Sequence, residues 1–336
     1  MKNLLCDLCC ASSFYKSDRK VSDVIIRELS KYAKVKSDFN GNIIATMGNF
    51  ESKKNIMLDA HCDQIGFIVT HIKNGFIKIA NCGGVDVRML PGLRVKIYGN
   101  QPVIGIICTI PPHIEKGEKE LSIDDIVIDT GLTAEKASSL IEIGDFVGFD
   151  ESPSILLENR IAAPALDNRV GVATLLQVAK NLSKKKLDCK VTIVFSNCEE
   201  TTGAGAKTAA YEVNADEAIV VDVSFARQPG IPHSKSAELA SGPMIGISPS
   251  LSSDVYTKLI NIAKNQKIKY NIEPMNGRTG TNADYISISR NGVRTGLVSV
   301  PIRYMHTPVE VVDMCDIKNS SKLITKYIVD GGATIE

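Results

Sequence analysis

Five short groups of acidic residues and histidine recur along the chain, most of them directly after an apolar run typical of a buried strand. The groups are Ala60-His61-Cys62-Asp63, Ala165-Leu166-Asp167-Asn168, Cys198-Glu199-Glu200, Val221-Asp222 and Tyr304-Met305-His306. In open α/β sheets, ligands bind at the carboxyl ends of the strands. Two imidazoles and several carboxylates gathered there would suit divalent transition metals. The pattern therefore predicts an α/β fold that carries a metal-dependent hydrolase site.

The order of predicted strands and helices divides the chain into two parts. From about residue 157, strand and helix patterns alternate, which predicts a mostly parallel or mixed sheet covered by helices on both faces. Before this alternating part of the chain, Asn74-Gly75 and Gly99-Asn100 each separate two short apolar runs, as in β-hairpins. We therefore expect a catalytic α/β domain over residues 1–65 and 157–336, and an inserted small β-rich domain over residues 66–156.

Composition excludes several classes of protein. The 336 residues carry a formal net charge of +1, which gives no reason to expect nucleic acid or a membrane surface as a partner. No apolar run approaches the roughly 20 residues that a membrane-spanning helix needs. Nine scattered cysteines, an odd number, and an acid at Asp7 near the N-terminus favour reduced thiols and no secretory signal. We therefore expect a cytoplasmic protein.

Each group of candidate residues also has a simpler interpretation. Glu199-Glu200 follows a strand, so one acid could bind a metal while the other serves as general base, but two adjacent acids also occur in exposed turns. His61 and Asp63 share one face of an extended segment, where the carboxylate could orient the imidazole, or both could be structural. Asp167 could be a helix N-cap, and His306 could be a surface histidine on a loop.

Taken together, these groups and several further motifs resemble one family over nearly the whole chain. It is the di-metal glutamyl aminopeptidase family, which includes the tetrahedral (TET) aminopeptidases and proteins often labelled cellulase or endoglucanase. The further motifs are Gln64-Ile65-Gly66, Met89-Leu90-Pro91-Gly92-Leu93-Arg94-Val95, Pro111-Pro112-His113, Ile128-Asp129-Thr130-Gly131, Arg169-Val170-Gly171, Val221-Asp222-Val223 and Pro301-Ile302-Arg303 through Thr307-Pro308-Val309-Glu310. The resemblance implies a zinc-peptidase-like fold and removal of N-terminal residues from peptides.

The resemblance also implies a role for each site residue. Asp167 would bridge two divalent ions, most simply zinc or cobalt. His61 and Asp222 would complete one ion site, and Glu200 and His306 the other. Glu199 would be the general base and Asp63 the partner of His61, and the peptide bond after Asp167 would be cis. The same resemblance implies a homo-oligomer, built from dimers that join through the inserted domain and extending to twelve-subunit shells.

The sequence departs from the family pattern at three places, and other activities remain open. Gln64 replaces a glutamate, Thr281-Asn282-Ala283-Asp284 stands where Gly-Thr-Asp-Ala is usual, and the N-terminal signature is degraded around Ser12-Ser13-Phe14. These changes bear on substrate preference, since every implied ligand is present. A related di-metal deacylase or carboxypeptidase is the nearest alternative. A catalytically silent interaction protein is disfavoured because no ligand is lost. A glycan hydrolase is disfavoured because the chain has no tryptophan for stacking on sugars.

Overall fold

A computed structural model of the protein describes residues 1–111, 113–114, 120–150, 152–157 and 159–332. Pro112 of the Pro111-Pro112-His113 motif and the last four residues of the predicted catalytic domain therefore lie outside the described residues. The helices are α1 (Lys2–Cys9), α2 (Val21–Leu29), α3 (Ala134–Leu140), α4 (Leu166–Leu182), α5 (Ala204–Val213), α6 (Ser253–Asn265), α7 (Ala283–Ile286) and α8 (Met314–Val329). No helix of the described chain is both long and apolar enough to cross a membrane.

The strands form one large sheet and one small barrel. They are β1 (Lys34–Ser37), β2 (Ile43–Gly48), β3 (Asn55–His61), β4 (Gly66–Lys73), β5 (Phe76–Cys82), β6 (Arg94–Tyr98), β7 (Pro102–Cys108), β8 (Val127–Asp129), β9 (Phe146–Phe149), β10 (Ser154–Ile155), β11 (Arg160–Ala163), β12 (Lys190–Ser196), β13 (Glu217–Phe225), β14 (Met244–Ile247), β15 (Asn271–Pro274), β16 (Arg294–Arg303) and β17 (Glu310–Asp313). The large sheet contains eleven of them, and β4 to β9 close into the barrel.

The large sheet is mixed, with a parallel centre. Its main order is β1-β2-β12-β3-β13-β16-β17-β11-β10, while β14 pairs with β16 and β15 pairs with β14. The four central strands, β12, β3, β13 and β16, run parallel to one another, and antiparallel strands flank them on both sides. The prediction of a mixed α/β sheet is confirmed. Strands β10, β14, β15 and β17 were not predicted, because each has only two to four residues.

Helices cover both faces of this sheet. The side chains of β3 point alternately into the two cores that these helices form with the sheet. Ile56, Leu58 and Ala60 point into a core shared with α1, α2, α4, α6 and α8. Met57 points into the opposite core, which α5 and α7 complete. All seven residues of β3 are buried, as expected for a central parallel strand covered on both faces. The central strands are therefore held firmly in register, which fixes where their carboxyl ends lie.

The barrel is the β-rich part that the two hairpin motifs predict. Asn74-Gly75 forms the turn between β4 and β5, with positive φ at both residues, and Gly99 begins the turn between β6 and β7. The six strands enclose their own apolar core, which includes Phe67, Ile97 and Val147. The chain leaves the large sheet after β3 and returns to it at β10, so Ser154 and Ile155 pair with the large sheet although the predicted insertion extends to residue 156.

A buried carboxylate ties together the amino-terminal edge of the central strands. Glu217, the first residue of β13, is fully buried. Its carboxylate pairs with Lys54 Nζ at 2.7 Å and with Arg294 Nη2 at 2.6 Å, and it accepts a hydrogen bond from Tyr327 Oη at 2.7 Å. The contacts join β13 to the residue before β3, to the first residue of β16 and to α8. A buried charge of this kind is tolerated because every partner is in place.

We predict that Glu217→Ala lowers the free energy of unfolding by about 2–4 kcal/mol, because Lys54 and Arg294 lose their shared counter-charge and Tyr327 loses its acceptor. Urea denaturation followed by circular dichroism measures this change. Glu212→Ala is the matched control, since Glu212 pairs with Lys36 on the exposed surface, and we expect it to cost less than about 0.5 kcal/mol. Equal effects of the two substitutions would contradict the prediction.

Candidate active site

The predicted site residues meet at the carboxyl edge of the large sheet. His61 is the last residue of β3, Asp222 lies near the end of β13, and Glu199 and Glu200 follow β12. Asp167 follows β11 at the start of α4, and His306 follows β16. Parallel pairing of β12 with β3 sets Ser196 beside His61, so both strands end at the same level. These six residues line a single cavity of about 1300 Å³.

Asp167 is the centre of the cluster because its two carboxylate oxygens face different histidines. Oδ1 lies 3.1 Å from His61 Nε2, and Oδ2 lies 3.4 Å from His306 Nε2. Asp222 Oδ1 approaches the same nitrogen of His61 at 3.6 Å, and Glu200 Oε2 approaches the same nitrogen of His306 at 3.5 Å. The cluster thus has two halves, each with one imidazole and one further carboxylate, that share Asp167.

The peptide bond between Asp167 and Asn168 is cis, which confirms the prediction made for it. Asp167 and Asn168 also have non-helical dihedral angles at the start of α4. Asn168 is fully buried: its Nδ2 donates to the carbonyl of Val221, and its Oδ1 accepts from Gly171 N. The segment that carries Asp167 is therefore anchored both to the neighbouring strand β13 and to its own helix.

The electrostatics of the cluster call for a cation. Burial and neighbouring carboxylates raise the pKa of Glu199 and of Glu200 to about 8. The hydrogen bond with Asp167 raises the pKa of His306 to about 9, while burial opposes this shift. For His61, burial favours the neutral form, but its contacts with Asp167 and Asp222 raise its pKa well above the ordinary value. In the protein alone, the crowded acids are thus balanced by protons, which a divalent ion would displace.

The donor set fits divalent metal ions. His61, Asp167 and Glu200 each offer one ligand atom, and these atoms lie within 4.8 Å of one another. Glu200 Oε1 is buried and has no hydrogen-bond partner, although unsatisfied polar atoms are costly in a protein interior. Imidazole nitrogen with carboxylate oxygen is a combination that zinc and neighbouring transition metals accept.

Asp63 holds the backbone of the two glutamates, and its carboxylate also contacts the His61 ring that it is predicted to orient. Its Oδ1 accepts from Glu199 N at 3.0 Å, and its Oδ2 accepts from Glu200 N at 3.1 Å. The same Oδ1 lies 3.5 Å from His61 Nδ1, which is too long for a strong hydrogen bond. Asp63 therefore fixes the turn after β12, where Cys198 adopts a left-handed conformation with φ of 60°.

Glu310 plays the corresponding part on the other side of the cluster, and the sequence interpretation missed it. This buried acid on β17 accepts from Asp167 N at 3.0 Å and from His306 N at 2.7 Å, so one carboxylate positions the backbone of two candidate ligands. His306 is held there with φ of 63°. The signal was present in Val309-Glu310-Val311-Val312, because an acid inside an apolar strand needs buried partners.

Gln64 and Asn282, two of the departures from the family pattern, both make hydrogen bonds within the protein. Gln64 does not face the cluster: its Oε1 accepts from Arg169 Nη2 at 2.9 Å and from Ser13 N at 3.2 Å. The glutamine therefore contacts a fully buried arginine rather than changing the charge beside His61. Asn282 donates from Nδ2 to Asp59 Oδ2 at 2.9 Å and to Ser196 Oγ at 2.8 Å, among the buried residues of β3 and β12.

The barrel also contributes to the cavity, at the turn after β5. A Cβ added to Gly84 would lie 2.9 Å from His306 Nδ1, and a Cβ added to Gly83 would lie 3.4 Å from the Glu200 side chain. Gly84 lines the cavity together with the cluster residues. The absence of side chains at this turn lets the barrel approach both halves of the cluster closely.

Comparisons with known proteins show that the chain and its fold are similar to aminopeptidases. A lysyl aminopeptidase of Pyrococcus furiosus is 32% identical over 312 residues, which cover 90% of this chain and 89% of that protein. The structure of an aminopeptidase from the archaeon Desulfurococcus kamchatkensis has a TM-score of 0.90 at 32% identity, covering 98% of this chain and 94% of its own. The TET1 peptidase of Pyrococcus horikoshii, which can assemble into a tetrahedron or a large octahedral shell, has a TM-score of 0.82 at 30% identity, covering 95% and 96%.

The fold and these relatives define the class as peptidases of the aminopeptidase type. Within that class, residues 41–323 match the M42 glutamyl aminopeptidase family, and the chain belongs to that family. The resemblance drawn from the sequence motifs is therefore confirmed.

We predict that Gly84→Ala weakens binding of a divalent metal, because the added methyl group forces the His306 ring to move. Isothermal titration with zinc or cobalt should show a lower affinity at one of the sites, with the melting temperature before metal addition almost unchanged. Gly277→Ala is the control, since a Cβ there meets nothing within 4 Å. Metal binding that is identical in the two variants would show that the barrel turn does not constrain His306.

Proposed function

We propose that the chain is a di-metal aminopeptidase that removes N-terminal residues from peptides. The observation that carries this proposal is the division of the Asp167 carboxylate between His61 and His306. Asp167 with His61 and Asp222 would hold one ion, and Asp167 with His306 and Glu200 would hold the other. When bound, the two ions would supply Lewis acidity at the scissile carbonyl.

Glu199 is the proposed general base. Its Oε2 lies 4.0 Å from His61 Nε2, and its backbone is fixed by Asp63, so the carboxylate borders the cluster without a hydrogen-bonded side-chain partner among the described residues. Glu199 would take a proton from the attacking water and deliver it to the nitrogen of the leaving amine as the carbon–nitrogen bond breaks. The hydroxyl of the same water remains on the carbonyl carbon, so the products are a free amino acid and a shortened peptide.

The choice of an aminopeptidase over the alternatives rests on membership of the M42 family. A free, unprotonated α-amino group is also a nitrogen donor that a divalent ion in the cluster could bind. A deacylase or carboxypeptidase would act on substrates whose amino group is blocked, so an N-acetylated peptide separates these activities from the proposed one.

We also propose a homo-oligomeric assembly, with the barrel domain shaping assembly and substrate access. Support comes from the Pyrococcus horikoshii relative, which forms closed shells. Phe76, Ile104 and Ile106 are apolar side chains on barrel strands and are between 38% and 46% exposed, a surface that contact with a second copy would bury. The proposed division of the chain assigns this role to residues 66–156 and the chemistry to residues 1–65 and 157–336.

We predict that Asp167→Ala abolishes tight binding of both ions, because each half of the cluster loses its shared carboxylate. In contrast, Glu200→Ala should weaken only one site. Metal analysis after dialysis, combined with isothermal titration, measures stoichiometry and affinity. His71→Ala is the control, since this exposed barrel histidine lies outside the cluster. Circular dichroism of each variant separates loss of a ligand from loss of the fold. Two tightly bound ions in folded Asp167→Ala would refute the bridging role.

We predict that Glu199→Gln keeps the fold and both ions but lowers kcat by about 10²- to 10⁴-fold, the usual contribution of a positioned proton acceptor. Hydrolysis of aminoacyl p-nitroanilides with added zinc, cobalt or manganese measures this change, and a peptide with an acetylated N-terminus should resist the wild-type protein. Glu212→Gln, which removes one exposed surface charge, should leave kcat unchanged. Near-normal turnover in Glu199→Gln would exclude Glu199 as the base.

A further inference from the structure

A second acidic group lies in the same cavity, beyond the metal-binding cluster. Glu273, on β15, lines the cavity, and its carboxylate accepts hydrogen bonds from Ser224 Oγ and from Ser299 Oγ, the latter at 2.8 Å. Ser224 belongs to β13 and Ser299 to β16. Two strands of the central sheet thus hold this carboxylate in place, and none of its described contacts is to the cluster itself.

The strand register places the two serines that hold Glu273 close to Asp222 of the cluster. Ser224 lies two residues beyond Asp222 on β13, so both side chains project from the same face, about 6–7 Å apart along the strand. Ser299 is the parallel partner of Asp222 on β16. Glu273 is therefore within reach of the side chain of a peptide residue whose amino group is bound at the cluster.

Burial raises the pKa of the Glu273 carboxyl, and no basic side chain of the described protein pairs with its ionised form. No lysine or arginine nitrogen of the described residues lies within 4.0 Å of its carboxylate. Lys235 and Arg278 line the cavity but are exposed at its wall. A largely buried carboxylate is costly unless a cation offsets its desolvation, and two serine hydroxyls offset only part of that cost. A cationic substrate side chain would supply the remainder.

The walls between the cluster and Glu273 suit a long side chain with an apolar stem. Met244, Met275 and Leu297 line the same cavity. Lysine and arginine place their methylene groups against apolar surfaces while the charged end reaches a polar partner. An acidic side chain, in contrast, would meet the like charge of Glu273 at the end of this path.

We infer that Glu273 determines substrate specificity, by selecting peptides whose N-terminal residue is lysine or arginine. This inference rests on the proposed aminopeptidase function and names the substrate class of that site. Glu273 does not take part in the chemical step, since it contacts neither the proposed base nor a proposed metal ligand. Its contribution should therefore appear as a difference between substrates rather than as a uniform change in rate.

The test compares p-nitroanilides of lysine, arginine, leucine and glutamate with the metal-loaded wild-type protein and with Glu273→Gln. Wild type should have a kcat/KM at least tenfold higher for lysine and arginine than for leucine, and the lowest value for glutamate. In Glu273→Gln, kcat/KM for the two basic substrates should fall about 10- to 100-fold, as expected for loss of a charged hydrogen bond, with less than about threefold change for leucine. Glu212→Gln is the matched control and should keep the wild-type ratios.

The ratio of two substrates within one preparation does not depend on the fraction of protein that folds or binds metal. Wild type that cleaves leucine as well as lysine, or Glu273→Gln with an unchanged lysine-to-leucine ratio, would overturn the specificity role while leaving the aminopeptidase proposal intact. A wild-type protein that hydrolyses none of the four substrates with any added metal would overturn both. A selective loss on lysine and arginine supports the inference.

Discussion

Parallel pairing of β12, β3, β13 and β16 is the constraint on which the rest of the site depends. Because neighbouring parallel strands end on the same side of a sheet, residues far apart in sequence arrive at one edge. The register is fixed by burial of the central strands on both faces, since a shift of one residue would exchange the two apolar faces. This register brings His61 and Asp222 together, and each offsets part of the cost of burying the other.

Two buried carboxylates then fix the backbone positions of the site residues at this edge of the sheet. Asp63 accepts from the backbone of Glu199 and Glu200, and Glu310 accepts from the backbone of Asp167 and His306. Hydrogen bonds from backbone nitrogen fix the position of a loop, and they do not use the hydrogen-bonding groups of its side chains. The side chains of the loops remain available for ions and substrate, while the loops themselves are held as firmly as strands. A site on ordinary mobile loops would lack this accuracy.

Much of this arrangement was predictable from the sequence. The apolar runs that end in an acid or histidine predicted the strand edge, and Asn74-Gly75 predicted a hairpin that the structure contains. Glu310 was missed because its partners are backbone nitrogens, which leave no pattern in side-chain identity. The contacts of Glu273 could not be predicted either. Strands β14 and β15 are short, and the sequence gives no sign that the serines on β13 and β16 lie close together. Gln64 lies close to His61 in the sequence, but the fold directs its side chain to Arg169, which only the structure could show.

The wide spacing of the cluster in the sequence, from His61 to His306, would make binding of the proposed ions depend on the folded chain. An unfolded chain keeps these side chains far apart, so ions would bind the native state almost exclusively. Each proposed site would then stabilise the native state by mass action, by about 2.7 kcal/mol when the free ion is at 100 times its dissociation constant. Removal of the ions would leave a larger fraction of the chain open to unfolding and proteolysis.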